Sequence, residues 1–117
     1  MRRRTAAFAL VMALGRHAHA ACPLEQSWQV GEANSWEEIS FVRGGHGMWV
    51  EGDRHGEDRR SKVDFRWQRD GSRLVVTAGG VSRVVRFTIE RNSQGGCTLR
   101  FDHSPVANAG TEFWGNP

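Results

Sequence analysis

The stretch "SKVDFRWQRDGSRLVVTAGG", Ser61 to Gly80, constrains the chain more than any other. Val63, Phe65 and Trp67 are apolar, and the positions around them hold Lys62, Asp64, Arg66 and Gln68. Alternation with a period of two places one set of side chains on a buried face and the other in water, which is the pattern of a half-buried strand. Asp70-Gly71 follows, a pair that tolerates the positive φ of a tight hairpin turn, and "RLVVTA" returns.

The same punctuation recurs every eight to twelve residues. "LEQSWQV" reads as a first arm or strand, and "WEEISFVR" as a strand with Ile39, Phe41 and Arg43 on one face. "GGHG" turns the chain into "MWVEG", and the charged loop "DRHGEDRRS" leads to "KVDFRWQR". "VSRVVRFTIERN" is a long strand with Val81, Arg83, Val85, Phe87 and Ile89 on one face. "CTLRFDH", the looser "SPVANAG" and a terminal "TEFW" complete the order. No window carries the period of a durable amphipathic helix. About eight short strands with short connections favour antiparallel pairing between neighbours. An up-and-down barrel removes the open edges that such a meander would expose, and a two-sheet sandwich is the alternative with the same alternation.

The first 20 residues read as an export signal: "MRRRT" is basic, "AAFALVMALG" is apolar, and "AHA" offers small residues at a cleavage site. The apolar run is too short to cross a bilayer, which takes roughly 20 residues. Residues 21–117 then form one domain of 97 residues. The whole chain carries 16 basic and 13 acidic residues, for a formal charge of +3. Arg2, Arg3, Arg4 and Arg16 all lie in the leader, so residues 21–117 hold 12 basic against 13 acidic residues. The basic footprint of a nucleic-acid binder is absent from the domain. Export to a periplasm or beyond places Cys22 and Cys97 in an oxidising compartment, where an even pair points to a disulfide. Two buried thiols, or lipidation of Cys22 after the poor lipobox "HAAC", are the alternatives.

The early tryptophan before "EISFVRGGHGMW", the "VDFRWQRDGSRLVV" hairpin, "VSRVVRFTIE" leading into "CTLRF", and the closing "TEFW" are together similar to small exported bacterial lipocalin-like domains of the calycin type. The glycine-x-tryptophan opening of that family falls on Gln26, Ser27 and Trp28, with Gln26 in the glycine's place. The resemblance implies a cup-shaped barrel that takes an apolar or amphipathic ligand. It brings no catalytic signature.

Candidate ligand contacts are Phe41, Arg43, Trp49, Phe65, Arg83 and Phe87. Arg43 and Arg83 share faces with apolar residues, and a guanidinium there must reach water or meet an anion, because it does not shed its proton. Trp49 stands out of phase with Met48 and Val50 beside a glycine-rich turn, where it either packs or meets a ligand at a rim. Glu51, Asp53, His55, Glu57 and Asp58, with His46 and His103, show no diagnostic metal spacing. Ser61 and Ser104 stand in no nucleophile motif, and the glycine pairs lack the strand-to-helix context of a phosphate loop. The expectation is an exported, non-enzymatic barrel without cofactor or metal, binding a small amphipathic ligand. An envelope protein-interaction module is the alternative.

Overall fold

A computed structural model describes residues 22–31, 35–53 and 59–117. The expected signal at residues 1–20 lies outside the described residues, as do His55, Glu57 and Asp58. Eight strands close into one antiparallel up-and-down barrel in sequence order: β1 (Ser27–Gly31), β2 (Ser35–Val42), β3 (His46–Asp53), β4 (Arg59–Asp70), β5 (Arg73–Ala78), β6 (Val81–Arg91), β7 (Cys97–Phe101) and β8 (Glu112–Gly115). The sandwich alternative is overturned by the pairing of β1 with β8, which leaves one continuous sheet.

The inner face follows the alternation. Opposed residues in an antiparallel pair share a face. Ile39 opposes Trp49, Trp67 opposes Val76, Leu74 opposes Val85, Phe87 opposes Phe101, and Leu99 opposes Phe113. All ten belong to one buried core. Phe41 sits at its centre, with the rings of Phe65 and Trp67 edge-on at 5.5 and 5.6 Å and the Phe101 ring at 6.4 Å. Such contacts add about 0.5–1.5 kcal/mol per pair beyond area burial. Gly47 makes this possible: a Cβ there would collide with the Phe65 ring and lie 2.8 Å from the Ser40 carbonyl oxygen.

Two connections depart from expectation in an instructive way. Asp70 pairs with Arg73, so the hairpin loop is Gly71–Ser72, one residue later than the Asp-Gly reading. Gly71 has a φ of 65°, and a glycine-first two-residue loop is what type II′ geometry requires. Arg43 does not continue the inner face of β2. It opens the β2–β3 turn, where its side chain is exposed.

The barrel has two distinct ends. At the first, called the disulfide end, Cys22 is bonded to Cys97 with their Cα atoms 6.4 Å apart. Leu24 is buried there in the core, and its carbonyl accepts the Trp28 indole N–H at 3.0 Å. A bridge closing so long a loop contributes ~4 kcal/mol in the chain-entropy account. The second, called the cap end, lies where β1, β3, β5 and β7 finish. The connection 102–111 folds over it, burying Pro105, Val106 and Ala109.

Candidate ligand site

Hydrogen bonds within the cap and from the cap to the barrel hold it in place. Asp102 and Arg86 exchange hydrogen bonds: the Asp102 amide donates to the Arg86 carbonyl at 3.0 Å, and the Arg86 amide donates to Asp102 Oδ1 at 3.0 Å. Ser104 Oγ donates to the Ala109 carbonyl at 2.6 Å, folding the loop on itself. The Gly110 amide donates to Glu37 Oε2 at 2.6 Å. The Trp49 indole N–H donates to the same oxygen at 2.7 Å. Glu37 is thus an inward carboxylate with charge-assisted partners from the cap and from the core. Asp102 has its carboxyl held below the ordinary value, first by the Arg86 amide and then by His103, whose Nδ1 lies 2.9 Å away, with burial acting in the opposite sense.

Between the cap and β4–β6 lies a cavity of about 270 Å³. It is lined by Val63, Val76, Ala78, Val81, Pro105 and Val106, together with Gly79, Ala107 and Arg83. Arg83 opposes Val76 on the inner face and is half-buried. Among the described residues its one hydrogen bond runs from Nη1 to the Ser104 carbonyl at 3.4 Å, and no carboxylate pairs with it. Five donors in a planar fork therefore border an apolar wall with a single long bond made. The volume falls just under the roughly 300–1,000 Å³ of drug-sized ligand pockets, so it suits a small ligand.

The structure separates the six candidate contacts. Arg83 borders the cavity. Phe41, Phe65 and Phe87 are packed within the core, and the Phe87 ring carries the Arg69 guanidinium at 5.1 Å from its centroid. Trp49 faces inward, 1% exposed, with its N–H committed to Glu37. Arg43 lies exposed at the disulfide end, away from Arg83. His46 starts β3 at the disulfide end while His103 lies in the cap, so the two stand at opposite ends. No group of three or more His, Cys, Asp or Glu side chains is placed to hold a metal among the described residues.

Sequence reading missed the cap. "SPVANAG" reads as a loose connection, yet Pro105, Val106 and Ala109 are more apolar than a solvated loop of that length needs. Those three residues were the available signal for burial.

No protein-family model matches the chain, and neither a curated protein nor a solved structure matches it. The closed eight-stranded antiparallel barrel is consistent with the calycin superfamily at the level of fold.

Proposed function

We propose that the protein is an exported, non-enzymatic lipocalin-like barrel that binds a small amphipathic anion at its cap end. The observation that carries this reading is Arg83: a half-buried guanidinium, without a carboxylate partner among the described residues, at the edge of an otherwise apolar cavity. A carboxylate or similar headgroup would complete the fork by charge-assisted hydrogen bonds. Its short apolar tail would lie on Val63, Val76 and Val81, each buried methylene contributing ~0.8 kcal/mol. The packed centre of the barrel leaves the tail no route past Phe41 and Phe65, so short chains fit and long ones do not.

Calorimetric titration of delipidated protein against straight-chain carboxylates of increasing length tests this. Binding should peak at a short chain and fall for longer ones. Arg83→Gln should weaken it by roughly tenfold or more, equivalent to about 1.4 kcal/mol, with the β-sheet circular dichroism unchanged. Failure of every chain length to bind, or equal binding by Arg83→Gln, rejects the assignment.

A further inference from the structure

The join between β1 and β8 is short. Gln29 pairs with Trp114, and this is the one residue pair between the two strands. β1 runs on to Val30 and Gly31, which pair with Glu37 and Trp36 on β2 and have no partner on β8. A groove of about 820 Å³ opens along this seam, on a different part of the surface from the cap-end cavity.

Two tryptophans border the groove. Trp114 stands on the outer face and is 55% exposed, a large apolar surface left in water. Trp36 also faces outward, and its indole packs against Gly52: a Cβ at Gly52 would come within 2.5 Å of Cε2 and Cζ2 of the ring. Between the two rings run Gln29 and Gly31. Asn116 and Ser35 add an amide and a hydroxyl, and Glu38 a carboxylate. No lysine or arginine lines the groove among the described residues.

We propose that this groove is a binding site for a neutral saccharide. Sugar rings have an apolar C–H face that stacks on an indole and a rim of hydroxyls that needs amide and carboxylate partners, and the groove offers both. The other ligand classes fit less well. An anion would meet carboxylates with no cation to oppose them. A lipid tail would leave the amides and hydroxyls unpaired. A peptide strand would find, among the described residues, Val30 and Gly31 as its edge, a short ladder for strand addition. A cation cage needs rings within about 6 Å of the charge. The Trp36 ring packs against Gly52 on β3, on the side away from Trp114, so the two rings do not converge on one point.

The test uses the chain from residue 21 onward, titrated by calorimetry with cellohexaose, chitohexaose and maltohexaose, and with choline as the cationic arm. Acrylamide quenching of tryptophan fluorescence is followed in parallel. At least one hexasaccharide should bind and shield the exposed Trp114. Trp114→Ala should weaken that binding by roughly tenfold or more. Its side chain is outside the core, so the thermal melt should hold; Trp36→Phe, which keeps an aromatic ring against Gly52, should give a smaller loss. Arg83→Gln should bind the sugar as the unaltered chain does. The proposal is overturned if no hexasaccharide binds, if choline binds in their place, if Trp114→Ala binds equally well, or if Arg83→Gln abolishes sugar binding.

Discussion

At the disulfide end, Leu24 enters the core from a segment tied to β7 by Cys22–Cys97, and its carbonyl holds the Trp28 indole. At the cap end, Val106 enters the core from a ten-residue connection, and a cavity of about 270 Å³ adjoins it. Both plugs are almost fully buried, at 1% and 2% exposure. They differ in what surrounds them. The first lies two residues from a covalent tie, with its own carbonyl held by the Trp28 indole. The second borders a void already. The cavity thus adjoins the cap plug and not the disulfide plug.

Truncating each plug should expose this difference most strongly. Leu24→Ala should cost about 2–5 kcal/mol, since a well-packed site collapses little. In a domain of this size that lowers the melting temperature by on the order of 10 °C or more. Val106→Ala removes two methyl groups and should cost only about 1–2 kcal/mol. It should also lengthen the optimal carboxylate chain, because the cavity grows. Paired thermal melts and the chain-length titration read both. Equal destabilisation by the two variants would erase the proposed contrast between the ends.

A smaller effect sharpens how the disulfide end is sealed. Where β1 and β8 share a single backbone pair, the Gln26 side chain supplies two more links. Its Nε2 donates to the Asn116 carbonyl at 2.6 Å, and its Oε1 accepts the Asn116 amide at 2.9 Å. A side-chain amide thus stands in for a strand peptide. Gly115 must lack a side chain for this approach, because its Cβ would lie 2.6 Å from the Trp28 ring and 2.9 Å from Gln26 Oε1. Gln26→Ala should cost about 1–2 kcal/mol for these two bonds and the one that Nε2 donates to the Pro23 carbonyl. Hydrogen exchange at the Asn116 amide should speed up while the Leu99 amide stays protected. Unchanged exchange at Asn116 would remove Gln26 from the seam.

Gln26 also shows where sequence reading reached its limit. Alternation gave the strands because burial on one face is a local, periodic constraint. Val63, Phe65 and Trp67 announce it without reference to any neighbour, and β5 falls on "RLVVTA" as expected. The cysteine pairing was legible from count and compartment. Gln26 looked like a departure from a family pattern, since its meaning depends on Asn116, ninety positions away. The candidate site was half legible for the same reason. Arg83 stands out on an apolar face, but its companions Pro105 and Val106 come from a connection with no period to read. Phe41, Phe65 and Phe87 were recognisable as inward-facing. Whether inward meant lining or filling depends on ring-to-ring contacts that one strand's pattern does not contain.

The smallest expected effect concerns how the cap begins. Asp102 continues the β6–β7 pairing by its reciprocal bonds to Arg86, and it is exposed to solvent. Its carboxyl is held below 3.8, chiefly by the Arg86 amide. The folded chain therefore gives up this proton more readily than the unfolded chain. That makes the unfolded state the stronger proton binder, so stability rises with pH across the interval between the two values. The contribution is complete above the unfolded value and is lost as pH falls through the lower, folded one. Asp102→Asn keeps an acceptor for the Arg86 amide but has no charge to lose. Thermal melts of both proteins from about pH 6 to about pH 2.5 should show the original chain slightly ahead at the upper end, with the gap closing below about pH 4. The shift should be smaller than that of Gln26→Ala, because solvent screens an exposed carboxylate. A gap independent of pH would mean that the bond geometry at Arg86, and not the carboxylate charge, holds the start of the cap.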